Sequence, residues 1–359
     1  MSFHFIKPDV NINFIGNRKA GYTVFGILLL LTVATCFFGN GMKLGIDFAG
    51  GVNAQVRFAQ NIDDQTLKKG LDVPELPGLS VQRFGEVGRD YLLRFNSDDS
   101  STSLRTRIEQ SLAKAFPDNP ASMERLEVVG PKVGKDLTEK GLSAIFYAIL
   151  TIAVYISGRF EQRWMAACLW GATYLVGLTG VSTGMLVCVA MAITLGVCFF
   201  LKLNFALAAV VSLIVTVSIA VGVLSFLQID MDLNVLAAIL TIIGYALNDT
   251  IITFDRLREN LRLHPEKKIG VLINMSINQT LARTVLTSGT TMMAALALLI
   301  LGGGVIYSFA LTMSVGVFVG TFATMFISCP LLLALGDSEF YVKSTKKEEY
   351  EKPGEHGMV

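Results

Sequence analysis

The stretch Gly244–Asn260, GYALNDTIITFDRLREN, follows directly on the apolar run Leu233–Ile243, LNVLAAILTII. That run is already most of a membrane span, so Asn248, Asp249 and Thr250 fall inside the bilayer before Asp255 and Arg256 return the chain to water. A carboxylate near a helix centre costs ~2.5–3.5 kcal/mol on insertion scales and persists where it faces a partner or a water path. The alternative is that Asp249 lies close enough to the cytoplasmic edge to be solvated there. At ~100° per residue, Thr241, Tyr245, Asn248 and Asp249 share one stripe, with Gly244 beside them to admit another helix. This predicts a polar face turned inward.

Composition agrees with a membrane setting. Over 359 residues the mean hydropathy is +0.55, 52% of residues are hydrophobic and 16% are charged, against ~25% charged in ordinary soluble domains. A formal net charge of +1, with no basic stripe carrying interleaved aromatics, argues against nucleic acid as a partner. The five cysteines, Cys36, Cys168, Cys188, Cys198 and Cys329, all sit in apolar runs without a CxxC pair and away from His4, His264 and His356. They read as small buried hydrophobes, which leaves no metal site. No HExxH or P-loop pattern is present, so no enzymatic activity is expected.

Working outward, Lys7, Arg18 and Lys19 precede an apolar run from Thr23 to Phe38, which predicts a cytoplasmic N-terminus and a first span within 1–40. A signal peptide is the competing reading, weakened by Thr35 just before Cys36. Residues 41–138 have the character of a separate outer domain. Strands are predicted at Ile46–Phe58, Leu79–Phe84, Tyr91–Phe95 and Arg125–Val129, and helices at Asp63–Leu71 and Ser103–Phe116. The order βαββαβ is that of a ferredoxin-like α+β domain. Its leading edge, GIDFAGG at 45–51, places Gly45, Asp47, Gly50 and Gly51 as a hinge at the membrane exit; a phosphate loop would need a following helix instead.

Residues 139–336 read as a transmembrane bundle. Spans are predicted at about 142–157, 165–181, 184–201, 205–227, 233–254, 283–301 and 306–335, giving eight with the first. Threaded from a cytoplasmic N-terminus, Arg159, Arg163, Lys202, the cluster Arg256 to Lys268, and Lys343 to Lys347 all fall inside. The outer turns 181–183, 228–232 and 302–304 carry no Lys or Arg, as the positive-inside rule requires. Residues 337–359 form a charged cytoplasmic tail.

A second charge enters the membrane at Arg283. Arg283, Thr287, Thr290 and Thr291 follow i, i+4, i+7, i+8 spacing and form one polar stripe. At 1.5 Å rise, Asp249 and Arg283 both occupy the cytoplasmic third of the membrane, which makes them candidate partners. Arg283 also fits as a residue that snorkels to the inner interface.

These motifs occur together with VGPKVG at 129–134, YISGRFE at 155–161, FDRLREN at 254–260 and QTLARTVLTS at 279–288. In that order, from about residue 16 to 335, they resemble the SecD/SecF family of resistance-nodulation-division (RND) type membrane proteins. The resemblance implies a bacterial inner-membrane protein with cytoplasmic termini that uses the proton motive force to assist late steps of preprotein translocation. It implies SecD as partner, the SecYEG channel beside it, YajC and YidC as associated components, and translocating preproteins as cargo. It further implies no cofactor beyond a coupling ion, H+ being expected and Na+ remaining open. Asp249 matches the Asp of the family's GYxxND motif and Arg283 the Arg of its TLxRT motif, which makes these two the proton-relay residues. Tyr245, Asn248, Thr287, Thr290 and Thr291 then form the supporting polar stripe.

The sequence departs from the family in two places. Six spans are usual, so about 164–203 reads as an inserted hairpin, and Val215 and Thr216 stand where a His-Asp pair is expected. Two rival functions were weighed. An RND exporter of small molecules or lipids, working as a half-subunit, would be expected to carry larger outer domains. An intramembrane aspartyl protease needs two facing carboxylates, whereas Asp230 and Asp232 lie roughly 25 Å from Asp249 along the helix.

Overall fold

A computed structural model describes residues 11–38, 41–71, 79–83, 88–95, 101–161, 192, 195–196, 198–200 and 202–336. The tail 337–359 and nearly all of the inserted hairpin lie outside the described residues.

Helix α1, Arg18–Phe37, leads into a single helical turn, α2, at Ile46–Ala49. The outer domain follows as β1 Gly51–Phe58, α3 Asp64–Gly70, β2 Ser80–Arg83, β3 Asp90–Phe95, α4 Ser101–Ala115 and β4 Ala121–Val129. The predicted first strand therefore begins five residues late, because residues 46–49 coil into α2 before Gly50 and Gly51 turn the chain at φ 78° and 126°. The four strands form one antiparallel sheet in the order β2-β3-β1-β4. Alternation sets its two faces. Val52, Ala54, Val56 and Phe58 of β1 join Tyr91, Leu93 and Phe95 of β3 against Leu67, Leu71, Leu104, Ile108 and Leu112 of the two helices. Asn53, Gln55 and Arg57 point to the opposite, polar face.

The rest is helical: α5 Pro131–Glu161, α6 Asn204–Phe226, α7 Leu233–Leu263, α8 Ile269–Leu301 and α9 Gly303–Ala323, with a π-helical turn at Thr324–Ser328 leading into α10, Cys329–Leu335. Among the described residues, six helices are long and apolar enough to cross a membrane. Three run well past their predicted spans: α5 starts at Pro131 instead of 142, α7 ends at Leu263 instead of 254, and α8 starts early as well. Helix α8 starts at Ile269 instead of 283, because Leu272, Ile273, Ser276, Ile277, Thr280 and Leu281 bury one face of a turn-rich amphipathic extension. Its opposite face is polar, and Asn274 and Asn278 accept from Phe14 N (2.9 Å) and Ile12 N (2.8 Å), pinning the N-terminal segment. The α7–α8 turn is fixed by Pro265, which cannot continue a helix. Pro330 lacks the N–H that would bond one turn back, and the backbone widens to the π-turn just before it.

Glycines set how closely the helices approach. A Cβ on Gly316 would come 2.1 Å from Ile242 Cδ1, and one on Gly320 would come 3.1 Å from Ala246 Cβ. The GVFVG segment at 316–320 of α9 thus lies on α7 in the small-xxx-small manner. Gly222 of α6 is closed in by Thr32 of α1 in the same way.

Gly50 combines φ 78° with a Cβ position 3.0 Å from Pro131 Cα, where backbone must give way. Gly50→Ala is expected to destabilise the fold by about 1–3 kcal/mol, read as a lower melting temperature of the detergent-solubilised chain. Unchanged melting would show that the turn relaxes.

Candidate functional site

Helix α7 begins at Asp232, whose carboxylate caps it by accepting from Val235 N at 2.8 Å, and it runs unbroken to Leu263. About 24 Å along that rod, at 1.5 Å per residue, sits Asp249, 1% exposed. Ser288 of α8 donates to Asp249 Oδ2 at 3.3 Å, and Thr321 of α9 donates to Ser288 Oγ at 2.8 Å. Ser288 is the one side chain among the described residues that donates to this carboxylate. A carboxylate so placed is held by one hydroxyl of α8, itself bonded by a hydroxyl of α9, a weaker anchor than a guanidinium.

From Asp249 a ladder of polar contacts descends toward the inner end. Thr250 meets Thr324 at 3.1 Å and Thr253 meets Thr280 at 3.4 Å. Asn260 donates to Ser276 Oγ at 2.7 Å and to Gln279 Oε1 at 2.9 Å, and Arg256 also donates to Gln279 at 2.6 Å. At the inner end Arg159 pairs with Asp255 at 3.2 Å, and the Arg258 guanidinium lies 5.5 Å from the centre of the Phe160 ring. Two sequence motifs, YISGRFE and FDRLREN, meet there.

The stripe predicted on α7 splits. Asp249 is buried and Tyr245 half-buried, whereas Thr241 and Asn248 are exposed on the single chain. The reason is angular: Asn248 lies ~100° from Asp249 around the helix, enough to carry it out of the bundle. Arg283 is likewise exposed, and no ion pair within 4 Å joins it to Asp249. Thr287 and Thr291 are half-buried, and Thr290 is exposed. The first two back-bonds on this face are Thr287 to Arg283 O (3.0 Å) and Thr290 to Thr287 O (2.9 Å). Val215 and Thr216 are both buried, Thr216 bonding to Ser212 O at 2.9 Å in its own helix. Sequence reasoning missed Ser288, Thr321 and Thr324. The available signal was the GVFVG segment, whose close approach to α7 brings the next residue, Thr321, to the depth of Asp249.

The glycine-rich segment at 45–51 is tied to the start of α7. Gly45 N donates to Met231 O at 2.6 Å and Met231 N to Lys43 O at 2.8 Å. Asp47 Oδ2 accepts from Leu233 N at 2.9 Å, and Ser308 of α9 donates to Asp232 Oδ2 at 3.1 Å. Asp47 and Asp232 therefore share the start of α7, and Arg94 of β3 pairs with Asp230 beside them. Around this clasp the polar sheet face and the outer helix ends enclose a cleft of about 780 Å³ lined by Asn53, Gln55, Arg125 and Glu127, among others.

Long apolar helices around one buried carboxylate, clasped to an outer sheet domain, define a polytopic membrane protein of transport type. The family descriptions that match are "Protein export membrane protein SecD/SecF, C-terminal", over residues 108–183 and 177–338, and "SecD/SecF GG Motif", over residues 37–62. The chain is 31% identical over 340 residues to the protein translocase subunit SecF of Endomicrobium trichonymphae, covering 94% of each. It is 36% identical to that of Desulfurispirillum indicum, covering 94% of this chain and 96% of the relative. A crystal structure of SecDF, described as a translocon-associated membrane protein, from Thermus thermophilus superposes with a TM-score of 0.69 at 28% identity, over 92% of this chain. This chain spans 39% of that SecDF chain. The chain belongs to the SecF family of protein translocase subunits. It is a multi-pass membrane protein of protein translocation.

Burial raises the Asp232 carboxyl above its ordinary value, with the nearby Asp47 charge adding to the effect, although the Val235, Ser308 and Asn234 hydrogen bonds oppose it. With the folded value above the unfolded one, the folded chain holds this proton more tightly between the two, and stability falls as pH rises through that window. Asp232→Asn removes the titration. Denaturation curves should show the parent gaining stability relative to this variant as pH is lowered through the window, with a constant difference above it. Asp232→Ala, which also removes the cap, should cost about 1 kcal/mol at neutral pH.

Proposed function

We propose that this chain is one half of a SecD–SecF unit in which proton binding at Asp249, driven by the proton motive force, assists late steps of preprotein translocation. The observation that carries this reading is the Asp249 carboxylate at 1% exposure, inside a span and held only by hydroxyls. A group kept ionised by a bonded arginine would be fixed in one state, whereas one held by Ser288 can gain and lose a proton. Arg283 is the second relay residue, near enough for its charge to act on Asp249 without touching it.

The polar, exposed face formed by Thr241, Asn248, Arg283 and Thr290 faces SecD in this reading, because an arginine and an asparagine at membrane depth need protein or water against them. The resemblance adds the SecYEG channel, with YajC and YidC, as the wider assembly, and the bacterial inner membrane with both termini cytoplasmic as the setting. The antiparallel order β2-β3-β1-β4 supports a ferredoxin-like outer domain. Two further spans in the inserted hairpin would bring the total to eight and keep the topology. No catalytic chemistry is part of the reading, and the coupling ion is H+, with Na+ the competitor. An exporter of small molecules or lipids draws no support from any single feature of the site.

Asp249→Asn should abolish the stimulation of export by the proton motive force in energised vesicles while leaving folding and SecD co-purification intact. Full stimulation with Asp249→Asn in place would overturn the relay, and stimulation that follows a sodium gradient at constant pH would assign the ion to Na+.

A further inference from the structure

Thr321 Oγ1 stands 2.8 Å from Ser288 Oγ and 2.8 Å from the carbonyl oxygen of Val317, one turn back in its own helix. A threonine hydroxyl has one proton, so it donates to one of these acceptors at a time. Ser288 is constrained in the same way. Its single proton is directed at Asp249 Oδ2, and its oxygen accepts from Thr321. All three side chains are buried, Asp249 at 1%, Ser288 at 8% and Thr321 at 8% exposure.

We propose that Ser288 and Thr321 are positioning residues that form a reversible hydroxyl chain, giving Asp249 Oδ2 a hydrogen-bond partner in both of its protonation states. The inference rests on the reading of Asp249 as the proton-binding group. With Asp249 ionised, Thr321 donates to Ser288 and Ser288 donates to the carboxylate. When a proton binds at Oδ2, the carboxylic acid becomes the donor to Ser288 Oγ. The Ser288 proton then turns to Thr321 Oγ1, and the Thr321 proton turns to Val317 O. Each hydroxyl keeps its own proton, no covalent bond to oxygen other than that of the arriving proton is made, and the polarity of the chain reverses. The equal distances at Thr321 are what make both directions available.

Without Thr321 as acceptor, the Ser288 proton would have only a carbonyl of its own helix to turn to when Asp249 is protonated. The chain also crosses three helices, so reversal at Asp249 on α7 ends at a backbone carbonyl of α9. The charged group acting on Asp249 from a neighbouring element is Arg283 of α8. On α7 itself the nearest ionisable side chain in the span is Tyr245, and α6, the facing length of α9 and the π-helical turn contribute the hydroxyls of Thr216, Thr321 and Thr324.

The two hydroxyls act on Asp249 in opposite senses. Ser288→Ala removes the donor to the ionised form, so the proton should bind about tenfold more tightly. Thr321→Val leaves that donor in place but takes away the acceptor that the Ser288 proton needs when Asp249 is protonated, so the proton should bind several-fold more weakly. Thr321→Ser restores the acceptor and should return the parental value. The measurement is infrared difference spectroscopy of the full chain in lipid bilayers. The carboxylic-acid C=O band absent from Asp249→Asn is followed against pH in each variant. Opposite displacements of the midpoint, with rescue by Thr321→Ser, support the chain. Displacements in the same direction, or none, with the band still titrating, overturn it while leaving Asp249 as a proton site. Absence of any titrating Asp249 band overturns both readings. Should Thr321→Val fail to fold, Ser288→Ala alone decides, since an unmoved midpoint there removes the first link.

Discussion

Inside an apolar bundle every polar side chain must find its partner within the protein, and this requirement governs how α7, α8 and α9 pack. A threonine or serine can satisfy itself locally by bonding the carbonyl four residues back, as Thr216, Thr250, Thr253, Thr280 and Thr324 all do. A carboxylate has no such recourse, since the backbone carbonyls of its own helix are acceptors like itself. Asp249 therefore requires a donor from another helix, and the two neighbours must come close at its depth. Gly316 and Gly320 permit that approach on α9, while Ala246 keeps the facing surface of α7 small. The same closeness places Thr250 against Thr324 one residue further on.

The outer end of α7 is bound just as firmly, by a different device. Four unsatisfied N–H groups begin every helix, and here two carboxylates take two of them: Asp232 takes Val235 N and Asp47 takes Leu233 N. One carboxylate belongs to the helix and the other to the segment that enters the outer domain. Two anionic groups at one helix start are favoured by the helix dipole, and partial burial sets their cost. Asp230 and Arg94 add a second tie a few residues away. A displacement of α7 near Asp249 thus cannot leave the outer domain unaffected, because a helix of 31 residues is a rod ~46 Å long.

Much of this was legible in the sequence because it rests on periodicity. The strands at 80–83 and 90–95, the helix at 64–70 and the long apolar helices follow from alternation or from length, which tertiary packing does not override. The site was legible only in part. Asp249 announced itself as a charge in an apolar run, and Arg283 did the same, but whether two charges touch depends on helix rotation and crossing, which spacing within one helix does not encode. Asn248 is exposed on the single chain because it lies ~100° around the helix from Asp249, a rotation that the spacing alone leaves unassigned to core or partner. Ser288 and Thr321 look like ordinary packing residues until the crossing is known. The 45–51 segment was legible as a turn from its glycines, yet the role of Asp47 depends on residues nearly two hundred positions away.

The exposed faces of the bundle separate what meets lipid from what meets protein. On α1 the exposed side chains include Val24, Ile27, Leu30, Leu31 and Val33, all apolar, and hydrocarbon is a sufficient partner for them. On α8 the exposed surface mixes Leu286 and Met293 with Arg283 and Thr290, and α7 adds Asn248 beside them. A guanidinium and a carboxamide at that depth need hydrogen-bond acceptors that lipid chains lack. Asp249 itself is 1% exposed, and Asn248 lies ~100° around the helix from it on this polar face. Whatever covers Asn248 and Arg283 therefore lies next to the turn of α7 that carries Asp249.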